Sequence, residues 1–195
     1  NKFYKKTHHI PVTFKVKNHK TLKIQNSIVH LGAMDWKPNV EGLDWFLKFI
    51  LPKIQKDNKS IKLYIGGKKM PKSYFNYKDK NIFINSKIKN GEEYIQNKQV
   101  MFVPLFSGSG IRIKILESMS LGVPVVSTTK GAKGIPYEHG KNILIADNPE
   151  DFYNSICLLI YDKDLRLKLA QNGRKLIEKY FSQKSVINKL NKLIN

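Results

Sequence analysis

The sequence predicts an α/β domain: a parallel sheet with helices packed on both of its faces. Short, nearly continuous apolar runs recur along the chain, among them "SIVHLGAM", "IKLYIGG", "QVMFVPLF" and "VPVVST". Strands buried on both faces read this way, whereas half-exposed strands alternate apolar with polar residues. Amphipathic stretches at helical spacing separate the runs, the order that a parallel sheet with crossover helices requires. Glycines and serines follow several runs, at the carboxyl ends of the strands where such sheets bind ligands.

The first 25 residues are basic, hold one proline and show little period; they read as an interdomain linker or the remnant of a preceding domain. Residues 27–34 are the first strand. Val40, Leu43, Phe46, Leu47, Ile50, Leu51 and Ile54 then repeat as one helix face, with Asn39 as its cap. Pro52 removes an amide donor and bends or ends that helix. Strands follow at 61–67 and 81–86, then a short helical stretch in "GEEYIQNK" and a fourth strand at 99–106. A helix over 110–121 is capped by Ser107 or Ser109 and stopped by Gly122. The fifth and sixth strands are 123–128 and 142–147, and Asp147 or Asn148 caps a helix over 149–161. Helical segments at 163–180 and 182–194 complete the chain. The domain proper thus runs 26–180, with 181–195 a further helix.

At 195 residues the chain suits one domain with a sizeable core. Its net charge of +20 is carried almost wholly by lysine, since Arg112, Arg166 and Arg174 are its only arginines. Such a field attracts nucleic acid, anionic lipid or phosphorylated small molecules. The lysines are spread out rather than gathered into a block, so charge alone names no partner. Cys157 is the single cysteine, which excludes an internal disulfide and agrees with a cytoplasmic, reducing location. No apolar run reaches membrane-spanning length, and the start "NKFYKKTHHIPV" lacks a secretory apolar core. His8, His9, His19, His30 and His139 have no metal-site spacing, so no metal is expected. Asp35 and Trp36 are placed at the cleft rim after the first strand, and Glu138 and His139 in a solvated loop. Tyr74, Phe75 and Tyr77 belong to a loop packed on the sheet rather than to a base-stacking surface.

The stretch that carries chemistry is "FSGSGIRIKILESMSLGVPVVST", residues 106–128. Ser107-Gly108-Ser109-Gly110 lies just past the fourth strand and opens a helix. Glycines let a ligand approach the backbone, and the free N–H groups of a first helical turn favour an anion. Arg112 adds a guanidinium suited to phosphate. Lys114 and Glu117, three residues apart, share a helix face, where a carboxylate can accept hydrogen bonds from paired sugar hydroxyls.

The run G-S-G-I-R-I-K-I-L-E-S-M-S-L-G-V-P-V-V-S-T resembles the donor-binding motif of retaining glycosyltransferases of family 4, which have the two-domain GT-B fold. "GAKGIPYEHGKNILIADNPEDF" (131–152) and "HLGAMDWKPNVEGLDWF" (30–46) extend the likeness, the second to a subgroup carrying M-D-W-x-P-N. The resemblance covers about residues 8–195. It implies a single Rossmann-like domain forming one half of a GT-B fold. It also implies transfer of a sugar, with retention, from a nucleoside-diphosphate sugar to a saccharide or lipid-linked acceptor, with no cofactor. Glu117 would hold the ribose hydroxyls, and the amides of Ser109, Gly110 and Ile111 would meet the sugar or its diphosphate. The usual second glutamate, eight residues earlier, is Ser109 here; the usual arginine and lysine after the first strand fall on Ala33 and near Asn39. Lys37, Arg112 and Lys114 are the cations expected to replace them against the diphosphate.

The same resemblance implies a missing N-terminal domain holding most catalytic groups, so that this chain alone transfers nothing. The last helix would brace that domain, leaving Phe181, Val186, Ile187, Leu190 and Leu193 partly exposed. The basic surface would suit a peripheral position on the inner face of the cytoplasmic membrane, without nucleic acid as a partner. The alternatives are a basic nucleic-acid-binding module, or a nucleotide-sugar epimerase of the same fold.

Overall fold

Six parallel strands lie in the order β3-β2-β1-β4-β5-β6 in the computed structural model. They are β1 (Ser27–Leu31), β2 (Lys62–Gly66), β3 (Ile82–Asn85), β4 (Val100–Val103), β5 (Val125–Ser127) and β6 (Leu144–Ile145). The structure describes residues 10–16, 22–77 and 79–194. His8, His9 and His19 lie outside these. Strand order reverses between β1 and β4, which pair Ile28 with Val100 and Val29 with Met101. A crevice at the carboxyl ends of those two strands is therefore where this topology seats a ligand.

The helices are α1 (Lys37–Phe49), α2 (Leu51–Asp57), α3 (Gly91–Gln96), α4 (Ile113–Ser120), α5 (Pro149–Tyr161), α6 (Lys163–Phe181) and α7 (Gln183–Ile194). A 3-10 turn spans Lys72–Asn76. Alternate strand residues feed two cores. One packs Ile28, Leu63, Ile65, Phe102 and Val126 against α1, α2 and α5. The other packs Val29, Met101, Val103 and Val125 against α3, α4 and the end of α6. Phe46 of α1 stacks on Phe102 at 4.1 Å between centroids, and the edge of Phe152 from α5 meets Trp45 at 5.4 Å. Each such buried aromatic contributes roughly 2–3 kcal/mol of burial, which presses α1 and α5 onto one face.

The strands are shorter than the apolar runs because the chain turns away once it leaves the ladder. Pro52 acts as expected: the helix breaks at Ile50, giving α1 and α2. Two expected caps are corrected. Trp36 rather than Asn39 occupies the N-cap of α1, and Asn39 is a buried residue inside the first turn. Neither Ser107 nor Ser109 caps α4, which begins only at Ile113 with Arg112 at the N-cap. Asn148 does cap α5, accepting from the Asp151 amide at 2.9 Å, while Asp147 accepts from the Thr129 amide and hydroxyl.

Parts of the N-terminal stretch dock on the domain. The Phe14 amide donates to the Phe181 carbonyl at 2.7 Å, and Phe14 and Val16 pack against the second core. The Ile24 amide donates to the Asn97 carbonyl at 2.7 Å. On the last helices, Phe181 and Val186 are buried whereas Ile187 and Leu193 are exposed. Tyr74 is buried and donates its hydroxyl to Asp44 at 2.6 Å; Phe75 and Tyr77 are exposed. His139 uses Nδ1 to accept the Ile145 amide at 3.0 Å, a structural use of the ring.

Candidate functional site

The elbow between β4 and α4 is built so that three of its carbonyls are taken by a side chain while three consecutive amides are left without an acceptor among the described residues. Past Val103, the Pro104 carbonyl lies against Gly42 of α1, where any Cβ would overlap it. Phe106 then meets the edge of Trp45 at 4.8 Å, fixing the start of the elbow to α1. Gly108 and Gly110 take left-handed backbone angles, φ +88° and +81°. That conformation costs an L side chain energy but not glycine. Arg112, only 6% exposed, turns its guanidinium back into the loop. It donates to the carbonyls of Ser107 at 3.2 Å, Gly110 at 2.8 Å and Ser109. The N–H groups of Ser109, Gly110 and Ile111 find no backbone or side-chain acceptor among the described residues.

These residues form one wall of an open groove of about 420 Å³, lined by Gly108, Ser109, Gly110, Ile111 and Arg112. The facing wall is the loop after β5, with Lys130, Lys133 and Gly134. That loop is held to the exit of β4 by the Ser127 hydroxyl on the Val103 carbonyl at 3.0 Å and by the Thr128 hydroxyl on the Leu105 carbonyl. A row of unpaired amides flanked by ammonium groups stabilises an anion.

The second half of the site lies at the end of β1. Lys114, in the first turn of α4, donates its ammonium to Asn39 Oδ1 at 2.7 Å, and Asn39 Nδ2 donates to the Ala33 carbonyl at 2.8 Å. Gly32 makes this possible, since a Cβ there would lie 2.8 Å from Lys114 Nζ and 2.7 Å from Asn39 Nδ2. Burial, with a smaller push from the Arg112 guanidinium, lowers the Lys114 pKa to about 7. His30 is fully buried on β1, its Nδ1 3.2 Å from the Phe102 carbonyl. Burial and the Lys114 charge hold that imidazole neutral, well below its ordinary pKa.

The structure therefore brings Ser109, Gly110, Ile111, Arg112 and Lys114 together at the switch point, but divides their tasks differently from the sequence expectation. Arg112 spends its fork on the elbow's own carbonyls. Lys114 is the cation placed at the end of β1. Glu117 sits on α4 one turn beyond Lys114, half-buried, its main-chain carbonyl accepting from the Leu121 amide at 3.1 Å. Lys37 stands out into solvent, with Glu41 its partner at 3.7 Å. Three contributors carried no usable signal in the sequence. Lys130 and Lys133 are two lysines among many, and Asn39 read as a helix cap. Among the described residues no group of three or more His, Cys, Asp or Glu side chains could hold a metal ion.

A parallel sheet in this order, with helices on both faces and a glycine-rich elbow at its switch point, is a doubly wound fold of the Rossmann type. The chain belongs to the family described as glycosyl transferases group 1, whose model matches residues 25–162. S. aureus TarM superposes with a TM-score of 0.78 at 20% identity, over 94% of this chain and 38% of that one. The C-terminal domain of LpcC from Francisella tularensis superposes with a TM-score of 0.67 at 19% identity, over 84% of this chain and 89% of that one. The pneumococcal O-GlcNAc transferase GtfA, solved with UDP and GlcNAc, gives 0.70 at 14% identity over 94% and 38%. An uncharacterized 44.6 kDa protein in the cps region of Klebsiella pneumoniae is 27% identical over 193 residues, 93% of this chain and 49% of that protein. The chain thus spans about half the length of that curated relative. Among the described residues no helix is long and apolar enough to cross a membrane.

Proposed function

We propose that this chain is the donor-binding half of a retaining glycosyltransferase that moves a sugar from a nucleoside-diphosphate carrier to a saccharide or lipid-linked acceptor. One observation carries the reading: three consecutive elbow amides stand unpaired while Arg112 ties up the carbonyls of the same loop. A pyrophosphate seated there would accept those amides, with Lys114 supplying charge from the β1 side and Lys130 and Lys133 from the β5 side. As the glycosidic bond to phosphate breaks, negative charge grows on the departing diphosphate and positive charge on the sugar's C1. Donors already in place stabilise that charge without reorganisation. The carboxylate of Glu117 holds the ribose hydroxyls and so sets how far the nucleoside reaches. Two solved neighbours, S. aureus TarM and pneumococcal GtfA, carry UDP, which makes UDP the probe of choice.

The acceptor and the remaining catalytic groups belong to an N-terminal domain that α7 braces with its exposed Ile187 and Leu193. The work is done in the cytoplasm, and the basic surface lets the enzyme rest on an anionic leaflet.

Calorimetric titration of the chain with UDP is expected to show saturable binding, which Glu117→Ala weakens by about tenfold to a hundredfold, the loss expected for hydrogen bonds to a charged group. An oligonucleotide should bind only weakly and equally to both proteins. Absence of UDP binding, or binding that Glu117→Ala leaves unchanged, would count against the donor assignment.

A further inference from the structure

We infer that Trp36 is a positioning residue: it holds the 107–111 elbow in its anion-ready shape by clamping the Arg112 guanidinium and roofing Gly108. The inference rests on the donor reading for its functional meaning and on geometry for its content. Trp36 stands at the N-cap of α1 yet contributes no side-chain capping bond. Its ring faces the elbow instead. The Arg112 guanidinium carbon lies 4.9 Å from the ring centroid, within cation–π range. A Cβ built on Gly108 would approach the same ring to 2.7 Å, so the indole closes over the one residue between Ser107 and Ser109.

The first turns of α1 make one more attachment. The Ser107 hydroxyl donates to Glu41 Oε2 at 2.6 Å. The elbow is thus held from outside by α1 at Ser107 and Gly108, and from inside by Arg112 at the carbonyls of Ser107, Ser109 and Gly110. Arg112 can hold three carbonyls only while its plane is fixed. Its Nε is buried without a partner among the described residues, so the chain of carbonyl bonds and the ring face are what define that plane. Removing the indole would let water reach the guanidinium and free the peptide planes at Gly108 and Gly110 to flip, turning amides away from the groove. Trp36 touches neither donor nor acceptor in this scheme; it acts through Arg112.

The test is backbone relaxation of the elbow by NMR in the isotopically labelled chain, paired with UDP titration. In the unmodified chain Gly108 to Ile111 should show order parameters of about 0.85, the value of rigid backbone. In Trp36→Ala they should fall below about 0.6 while β1 and β4 stay rigid, and the UDP dissociation constant should rise about tenfold. Trp36→Phe, which keeps a ring face, should restore both. Arg112→Lys, which keeps the charge and the indole but loses the fork, should loosen the elbow as Trp36→Ala does. If Trp36→Ala fails to fold, Trp36→Leu, which fills the space without a ring face, should loosen the elbow in its place, and an elbow as rigid as in the unmodified chain would overturn the inference. An elbow equally rigid in Trp36→Ala and Arg112→Lys would overturn the inference, as would Trp36→Phe behaving like alanine. If the unmodified chain binds no UDP, the donor reading fails, and the order parameters alone still decide what Trp36 does.

Discussion

Replacing Lys114 by methionine is expected to weaken UDP binding by about tenfold to a hundredfold and, at the same time, to stabilise the fold. The two effects have one origin. Lys114 keeps an ammonium at the end of β1 with Asn39 Oδ1 as its hydrogen-bond acceptor, and burial brings its pKa down to about 7. A charge-assisted hydrogen bond to phosphate contributes about 1.5–3 kcal/mol, hence the loss of affinity. Holding a cation away from water costs stability, and an unbranched apolar side chain of similar length removes that cost. The pH dependence follows with a definite sign. A bound diphosphate favours the charged form of Lys114, so binding draws a proton, and UDP affinity falls as pH rises above about 7. The terminal phosphate of UDP ionises at about 6, below that window. Stability runs the other way. Because the folded pKa lies below the unfolded value of 10.5, the unfolded chain binds more protons between the two, and stability rises with pH across that interval. Lys98 and Lys23, each lowered to about 8 mainly by burial, contribute to the same slope, so Lys114→Met should reduce it without abolishing it. Calorimetry at several pH values reads affinity and thermal scans read stability; an unchanged affinity in Lys114→Met would remove Lys114 from the site.

Gly42→Ala is expected to be among the most damaging single-methyl changes in the domain. The site of the new methyl is already filled by the Pro104 carbonyl, and backbone on both sides leaves neither partner a flexible end to move. Helix α1 would have to lift from the exit of β4. That helix carries Phe46 against Phe102 and Asn39 against Lys114, so core and site would loosen together. Overpacking of this kind costs about 3 kcal/mol, equivalent to a fall of about 6–12 °C in Tm for a domain of this size. A melt by circular dichroism checks it, and an unchanged midpoint would mean that α1 and β4 are not apposed as described.

The fold was legible because parallel strands announce themselves as uninterrupted apolar runs, and because Asn148 and Pro52 act locally where their chemistry predicts. The elbow was legible for a similar reason: glycines at 108 and 110 and the helix behind them are neighbours in the chain. What escaped the sequence was decided by distance along the chain. Nothing near Arg112 says that its guanidinium will turn back on three carbonyls rather than outward to phosphate. That outcome depends on Trp36, 76 positions earlier in the numbering, lying over the loop. Asn39 read as a cap because caps are local, yet its amide is fixed by Ala33 on one side and Lys114, 75 residues away, on the other. Lys130 and Lys133 could not be separated from the other lysines until β5 was placed beside β4.

The most direct measurement is amide chemical-shift mapping of the labelled chain during titration with UDP. The expected result is that Ser109, Gly110 and Ile111 move furthest and together, at one dissociation constant, with Lys114 and Glu117 next. Saturation with those three amides unmoved, and the largest shifts elsewhere on the molecule, would contradict the assignment of the elbow as the pyrophosphate seat.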